Sequence, residues 1–258
     1  MTRPRSVFIT GASSGIGEAL AGCYAQRGAM LGLFARRAGE LARVASAFAA
    51  ERVVVYPGDV RDATALAAAA ADFIARHGLP DIVIASAGVS RGTLTEQVSD
   101  NDAFRAVFDT NVMGMVNTFA PFAAQMQRAR HGTLVGIASV AGLRGLAGSG
   151  AYSASKAAAI TYLESLRLEM RPFRVAVVTI CPGYIATPMT ARNPYRMPFL
   201  MRADSAAAKI ADAIDRRKRY YVLPWPMAIA ARALRMLPRP LYDALFVGAA
   251  RKPRVDGD

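Results

Sequence analysis

The sequence is short of cysteine and of acidic residues, and it has no long uninterrupted apolar run. Only Cys23 and Cys181 occur among its 258 residues, so no disulfide framework is expected, and both thiols are interpreted as small core residues of an intracellular protein. Although 53% of the residues are apolar, no run approaches the roughly 20 residues that a membrane-spanning helix needs. The basic start of the chain lacks the apolar core of a signal peptide. We therefore expect a cytoplasmic protein without a transmembrane segment.

Acidic residues number 19 against 32 lysines and arginines, which gives a formal net charge of +13. Such an excess is typical of proteins that bind nucleic acids or anionic membranes. The arginines are scattered, however, and no helix-turn-helix, zinc or RNP pattern directs them toward a nucleic acid. We predict no nucleic-acid partner and no metal site, and we interpret most of the excess as a solvated basic face.

Short β-rich apolar runs alternate with longer alanine-rich segments of helical period, which is typical of repeated βαβ units. The alternation predicts an α/β fold of the Rossmann type, a doubly wound parallel sheet of about seven strands with helices on both faces, within a single domain over 1–258. Ligands of such sheets bind at the carboxyl ends of the strands. The predicted strands are SVFIT, MLGLFA, RVVVYP, DIVIAS, TLVGIAS, RVAVVTI and RYYVLP, and helices are predicted to begin near Gly15, Gly39, Ala63, Asn101, Tyr152 and Ser205.

A glycine-rich stretch, TGASSGIG, follows the first predicted strand and opens the first predicted helix. Glycines at this junction allow a tight turn and a close approach of the backbone to a phosphate, while the helix N-terminus offers free N–H groups. The alternative is an ordinary glycine-rich turn with a capped helix. The predicted dinucleotide-binding residues here are Gly11, Ser13, Ser14, Gly15, Ile16 and Gly17.

The end of the second predicted strand indicates which dinucleotide is bound. An acidic residue there would bind the ribose hydroxyl of NAD, but the sequence has Ala35 followed by Arg36 and Arg37. Two guanidinium groups suit a 2′-phosphate, which a carboxylate would repel. We therefore predict NADP(H), with Arg36 as the main clamp and Arg37 as an auxiliary one; the alternative is a solvated arginine pair.

Tyr152 and Lys156 are spaced i and i+4, so they lie on the same face of a predicted helix. A free tyrosine has a pKa near 10, and a neighbouring ammonium is expected to lower that pKa toward the range of an acid-base catalyst. The pair alone is a weak signal. Two further polar residues accompany it: Ser139 at the end of a predicted strand, and Asn111 within a long predicted helix.

These motifs together resemble the short-chain dehydrogenase/reductase family, over Val7 to about Thr187. The spacing TGxxxGxG is similar to that of the family's compact form, and Asn111, Ser139, Tyr152 and Lys156 match its catalytic tetrad. The resemblance implies that Tyr152 exchanges a proton with the substrate oxygen and that Ser139 hydrogen-bonds this oxygen. It implies that Lys156 binds the nicotinamide ribose and that Asn111 holds a water in a proton relay.

The same resemblance implies further cofactor contacts. Asp59 and Val60, after the third strand, match the position that holds the adenine. The segment PGYIAT is similar to the family's P-G-x-x-x-T and implies contacts to the nicotinamide from Pro182, Gly183, Ile185 and Thr187. After the fourth strand the family has Asn-Ala-Gly, where this sequence has Ser86, Ala87 and Gly88; the departure puts a structural hydrogen bond in doubt.

Two segments outside these motifs bear on the substrate and on partners. A lid is predicted around 184–205, and its methionines with Phe199 and Leu200 suggest a lipophilic substrate, or else simply pack the lid onto the core. A helical extension over 225–258 carries apolar residues on one side and arginines on another. It would lie on an anionic membrane, cover the site or form a subunit contact, and we favour packing or oligomer contact. Relatives in the family are commonly homodimers or homotetramers.

Three functions remain open on the sequence alone. The first is NADPH-dependent reduction of an apolar ketone, or oxidation of the matching secondary alcohol. The second is reduction of a 3-oxoacyl thioester whose carrier docks on the arginines. The third is a catalytically silent NADP-binding regulatory or membrane-surface protein, which the intact tetrad argues against.

Overall fold

The computed structural model describes residues 5–248 and 251–254, and within them one parallel sheet of seven strands forms the centre of the fold. This confirms the predicted doubly wound α/β fold; the single domain over 1–258 extends past the described residues and stays a prediction. The strands are β1 (Ser6–Thr10), β2 (Met30–Ala35), β3 (Val53–Pro57), β4 (Ile82–Ala85), β5 (Thr133–Ile137), β6 (Ala176–Pro182) and β9 (Tyr220–Leu223). Their order across the sheet is β3-β2-β1-β4-β5-β6-β9.

Helices cover both faces of this sheet and begin at or beside the predicted positions. They are α1 (Gly15–Gln26), α2 (Ala38–Ala45), α3 (Ala63–His77), α4 (Asn101–Phe108), α5 (Gly114–Ala129), α6 (Gly150–Met170) and α8 (Ala203–Asp215). Helix α4 runs into α5 through a π-helical turn, Asp109–Met113. Helix α3 begins where the Asp62 carboxylate accepts the N–H groups of Thr64 and Ala65, as an N-cap should.

The core has one layer on each face of the sheet, because successive side chains of a strand point to opposite faces. In β1, Val7 and Ile9 pack into the layer beneath α1 and α8, whereas Phe8 packs into the layer beneath α3, α5 and α6. Phe8 and Phe73 meet there edge to face, with ring centroids 5.7 Å apart. The five inner strands are therefore almost wholly buried on both sides, as their nearly continuous apolar sequences predicted, whereas the edge strands β3 and β9 expose Val55 and Tyr220.

The order of the strands reverses at β1, which lies between β2 and β4. Chains leaving β1 and β4 at this point turn to opposite faces of the sheet, which opens a crevice at the carboxyl ends of the strands. The loops after β1, β2, β4, β5 and β6 all end at this edge. The fold thus brings the predicted site segments to one place.

The segment after β6 contains small elements that periodicity did not predict. Strand β7 (Ile185–Ala186) pairs in parallel with β8 (Met201–Arg202), and α7 (Pro188–Ala191) lies between them. Strands of two residues are too short to show a period in sequence. After β9 come two short helices, α9 (Trp225–Met236) and α10 (Arg239–Phe246), as the prolines indicated. No helix among the described residues combines the length and the apolar character needed to cross a bilayer.

Candidate active site

In the loop between β1 and α1, the backbone of Gly11 packs directly against the backbone of the segment after β4. Gly11 has a φ of +71°, and a Cβ at this position would lie 2.6 Å from the backbone nitrogen of Ala87, so a side chain has no room. The Gly11 N–H donates to the carbonyl of Phe34 at 2.9 Å, which fixes the loop on β2. Helix α1 begins at Gly15 without a side-chain cap from Ser14, so its first N–H groups are left for another acceptor. This disfavours the alternative of an ordinary capped turn.

A cavity of about 600 Å³ extends from this loop along the carboxyl edge of the sheet. Its size is in the range of small-molecule sites. The predicted residues that line it are Gly11, Ser13, Ser14, Gly15, Ile16, Gly17, Arg36, Arg37, Val60, Ala87, Gly88, Ser139, Tyr152, Lys156, Pro182, Gly183, Ile185 and Thr187. The structure therefore brings nearly all the predicted positions to one cavity, and Asp59 and Asn111 are the predicted residues outside its lining.

Several residues of the cavity wall were not predicted. Most of them end a strand, follow one or lie in the lid, and Thr110 lies in the π-helical turn. Their only signal in the sequence was this position, because many of them have small side chains. They are Ala35, Gly58, Ser86, Val89, Thr110, Ile137, Ala138, Pro188, Met189, Thr190 and Arg192. Ser86, which stands at the family's asparagine position, thus faces the cavity.

The two arginines after β2 have different surroundings. The Arg37 guanidinium donates to the hydroxyls of Ser13 and Ser14, at 3.2 and 2.8 Å, and so is fixed on the glycine loop. The Arg36 guanidinium is 55% exposed and lies 3.9 Å from the Asp59 carboxylate, beyond hydrogen-bond distance. Asp59 is held by Arg61 at 2.7 Å, and this contact lowers the pKa of its carboxyl group. Arg36 is therefore the less constrained of the two cations.

Asn111 lies in the π-helical turn and is fully buried behind the cavity wall. Its Oδ1 accepts the N–H of Val89 at 2.8 Å, and its Nδ2 donates to the carbonyl of Val89 and to the hydroxyl of Ser155. Both N–H donors of the side chain are thus in use, and they fix the backbone after β4. The role of Asn111 in a water relay stays a prediction.

Tyr152, Lys156 and Ser139 meet at the other end of the cavity. Tyr152 lies in the first turn of α6, and the Lys156 ammonium is 5.8 Å from the centroid of its ring. This ammonium is buried and donates to the carbonyl of Ile137, at the end of β5, at 2.8 Å. Ser139 follows the same strand and accepts the N–H of Ala141, so its hydroxyl is held in place.

Burial dominates the titration of this group. It raises the pKa of the Tyr152 phenol, against a smaller opposite effect of the hydrogen bond with Ser139, and it lowers the pKa of Lys156 to about 8. The i, i+4 spacing predicted that Lys156 lowers the pKa of Tyr152. In the structure burial raises this pKa instead, and the Lys156 ammonium is directed at the backbone carbonyl of Ile137. At neutral pH the phenol is protonated and can donate a proton.

The helical extension packs against the loop that joins Ser139 to Tyr152. Arg144 in this loop donates to the carbonyl of Leu234 at 2.8 Å, and its guanidinium lies 4.7 Å from the ring centroid of Tyr242. The Tyr242 hydroxyl donates to the carbonyl of Gly145 at 2.6 Å. Of the roles left open for this extension, packing over the active-site loop is therefore observed; membrane and subunit contacts stay predictions.

Comparison with known proteins places the chain among oxidoreductases. A family model described as short chain dehydrogenase matches residues 5–197. A relative from Myxococcus xanthus (strain DK1622), described as an uncharacterized oxidoreductase, is 39% identical over 254 residues, which cover 97% of this chain and 98% of the relative.

Solved structures show the same architecture. A short chain dehydrogenase/reductase from Burkholderia phymatum, in complex with NAD, matches with a TM-score of 0.82 at 25% identity and covers 99% of this chain and 98% of its own. A 3-oxoacyl-[acyl-carrier protein] reductase from Brucella melitensis, with bound NAD, matches with a TM-score of 0.75 at 28% identity and covers 86% and 90%.

Proposed function

The chain belongs to the short-chain dehydrogenase family, as its motifs predicted, and from that premise we propose that it is an NADPH-dependent oxidoreductase. Its substrate would be a ketone of a lipophilic small molecule, or the matching secondary alcohol in the reverse direction. One observation carries the proposal: a single cavity joins the glycine loop at one end to Ser139, Tyr152 and Lys156 at the other. A dinucleotide bound along it would end beside the tyrosine.

The cavity residues fit NADPH. The close approach at Gly11 and the uncapped start of α1 suit a pyrophosphate. Arg36 suits a 2′-phosphate, because its only ion pair among the described residues is the long one, 3.9 Å, with Asp59. We assign Arg36 as the main clamp and Arg37 as auxiliary, with Asp59 and Val60 toward the adenine. Toward the nicotinamide we assign Ala87, Gly88, Pro182, Gly183, Ile185 and Thr187. When bound, NADPH supplies the hydride.

Two side chains would act on the substrate oxygen, and two more would support them. The Tyr152 phenol, kept protonated by burial, donates a proton to the carbonyl oxygen and takes it back in the oxidation direction. The Ser139 hydroxyl hydrogen-bonds the same oxygen and stabilises the charge that develops there. Lys156 would bind the ribose of the cofactor, and Asn111, which fixes the wall at Val89, would hold the relay water.

The lid supports a lipophilic substrate. Met189 lines the cavity, while Phe199 and Leu200 are 54% and 48% exposed. Met201, in contrast, packs on the core, so packing alone explains only part of this apolar surface. Exposed apolar side chains on the segment that contributes Met189 to the cavity wall are a surface that an apolar ligand would cover.

A second candidate is a 3-oxoacyl thioester reductase. The resemblance to the Brucella melitensis structure favours it, because that protein is named as a 3-oxoacyl-[acyl-carrier protein] reductase. The lid would then cover the acyl chain, and the arginines of α9 would face the acidic carrier. This candidate uses the same proton transfer by Tyr152. It differs from the first in the carrier protein, which would bind outside the cavity.

We also propose a homodimer or homotetramer, formed through the helices at Asn101 and Tyr152. These helices and the π-helical turn carry exposed apolar residues: Phe104 in α4, Met113 in the turn and Leu168 in α6. Such an assembly would cover them.

Helix α9 also exposes the apolar residues Trp225 and Ile229, near Arg232. This combination would suit a peripheral contact with an anionic membrane. The free thiols of Cys23 and Cys181 are consistent with a cytoplasmic location.

The test is oxidation of NADPH by the pure protein across ketones and 3-oxoacyl thioesters of graded chain length. A rate that rises with the length of an apolar ketone supports the proposal, and a preference for carrier-bound thioesters supports the second candidate. Binding of NADPH without turnover of any substrate would contradict both and would favour the silent protein.

A further inference from the structure

The end of the described chain returns to the active site. We define residues 251–254 as the C-terminal segment. The Arg254 guanidinium binds the Asp100 carboxylate through Nε at 3.0 Å and Nη2 at 2.9 Å. Asp100 also accepts the N–H of Leu94 at 2.8 Å, so it is fixed on the loop that precedes α4. This bidentate ion pair holds the C-terminal segment against the loop that precedes α4.

Two glycines leave room for this segment. A Cβ at Gly92 would lie 2.5 Å from the carbonyl oxygen of Pro253, and a Cβ at Gly148 would lie 2.9 Å from the Cβ of Arg251. Gly92 follows β4, and Gly148 precedes α6, so the segment passes between the two loops that flank Tyr152. Any larger residue at either position would displace it.

The position of the segment places Lys252 beside the catalytic tyrosine. The Lys252 ammonium lies 5.5 Å from the centroid of the Tyr152 ring and donates to the hydroxyl of Ser90 at 2.5 Å. Lys156 lies 5.8 Å from the same centroid, so two ammonium groups flank one phenol. Lys252 is half-buried, and this burial lowers the pKa of its ammonium group.

Within residues 5–248 and 251–254, no acidic group balances the charge of Lys252. Its hydrogen bond to Ser90 is to a neutral hydroxyl, and no carboxylate forms an ion pair with it in residues 5–248 and 251–254. An ammonium has three N–H donors, and a partly buried cation without a counter-ion is costly unless a ligand compensates it. The remaining donors can therefore be satisfied by an anion that enters with the substrate.

We propose that Lys252 is a substrate-binding residue that selects oxo acids, ketones whose carboxylate lies a few bonds from the reacting carbonyl. The inference rests on the proposed function, because the carbonyl must reach the Tyr152 hydroxyl while the carboxylate reaches the ammonium above the same ring. The apolar remainder of the substrate would lie under the lid. The substrate is thus amphipathic, with its acidic end at the C-terminal segment.

The kinetic test compares 2-, 3- and 4-oxo acids bearing a phenyl group with their methyl esters, under saturating NADPH. We expect wild type to prefer at least one acid over its ester by roughly 10- to 100-fold in kcat/KM, the range of a hydrogen bond to a charged group. Lys252→Met should remove this preference mainly through KM of the acid, and Lys252→Arg should restore part of it. Lys209→Met, at an exposed lysine of α8, removes the same charge elsewhere and should keep the preference.

A binding measurement keeps the inference separate from turnover. Calorimetric titration with 4-phenylbutanoate and with 4-phenylbutanamide should show roughly tenfold tighter binding of the carboxylate to wild type and to Lys209→Met, and equal binding to Lys252→Met. Equal binding of both compounds to wild type would overturn the inference. So would an equal loss of kcat on acids and esters in Lys252→Met with a shifted pH profile, because Lys252 would then position Tyr152. Failure to reduce any ketone would overturn the proposed function instead, while the titration would still report on the anion site.

Discussion

The two halves of the site, the cofactor half at the glycine loop and the substrate half at the lid and the C-terminal segment, are built from different materials. At the glycine loop the cavity wall is backbone: Gly11 lies against Ala87, and its N–H is bound to the carbonyl of Phe34. The lid and the C-terminal segment instead present long side chains: Phe199 is 54% exposed, and the Lys252 ammonium lies 5.5 Å from the centroid of the Tyr152 ring. A cofactor shared by a whole family can be met by a fixed backbone, whereas a substrate that varies is met by side chains that can be exchanged.

Tyr152 belongs to both halves, so its replacement should have the largest effect. Tyr152→Phe removes the hydroxyl that donates the proton, and kcat for ketone reduction should fall about 10³-fold, in the range of general acid catalysis. Steady-state oxidation of NADPH measures this loss.

The affinity for NADPH should change little in the same variant, since the ring and the ammonium of Lys156 remain. Fluorescence titration with NADPH is the control. A Phe variant that keeps its kcat would contradict the proton-donor role, and a variant that loses NADPH would make the tyrosine chiefly a cofactor residue.

Arg36→Ala tests the cofactor half alone. Loss of the charged contact to a 2′-phosphate should raise KM for NADPH by roughly 10- to 100-fold and leave KM for NADH and for the ketone nearly unchanged. Arg43→Ala, at an exposed arginine of α2 bound to Glu18 and Glu40, is the matched control. Equal losses with both dinucleotides would refute the phosphate clamp.

The Lys156 ammonium, between the two halves, should make the reaction depend on pH. Burial lowers the pKa of Lys156 to about 8, so the ammonium is present below this pH and is lost as the pH rises through it. Because the ammonium would bind the ribose, kcat/KM for NADPH should fall about tenfold from pH 7 to pH 9. The raised pKa of Tyr152 adds no second limb in this range.

The matched variant is Lys156→Arg, whose guanidinium stays charged and should move the basic limb upward. A profile that is flat to pH 10, or a limb that does not move in the variant, would show that another group controls it.

The cofactor half could be predicted from the sequence, because its residues must stand at fixed distances from one another along the chain. The three glycines, the arginines after β2 and the i, i+4 pair of α6 are such spacings, and all line the cavity. The spacing of apolar residues along the chain also predicted the strands, the helices and the doubly wound α/β fold. The strands β7 and β8 were not predicted, because two residues are too few to show an alternation of apolar and polar side chains.

The substrate half could not be predicted in the same way. Lys252 stands 100 residues beyond Tyr152 in a basic tail, and its sequence neighbours carry no motif; only the fold places the two together. The direction of the pKa of Tyr152 was also missed, because attraction by a lysine can be inferred from spacing whereas burial cannot. The bonds of Asn111 to Val89 likewise depend on tertiary contact.

Arg254→Gln tests the substrate half, with the smallest expected effect. The pair with Asp100 is partly exposed, so its loss should release the C-terminal segment only in part and raise KM for the ketone about two- to fivefold. KM for NADPH should not change, because the segment does not line the cofactor end. Arg251→Gln, at the exposed arginine of the same segment, is the control. If Arg254→Gln weakened NADPH as much as the ketone, the two halves would not be independent, and the segment would act on the fold and not on substrate recognition.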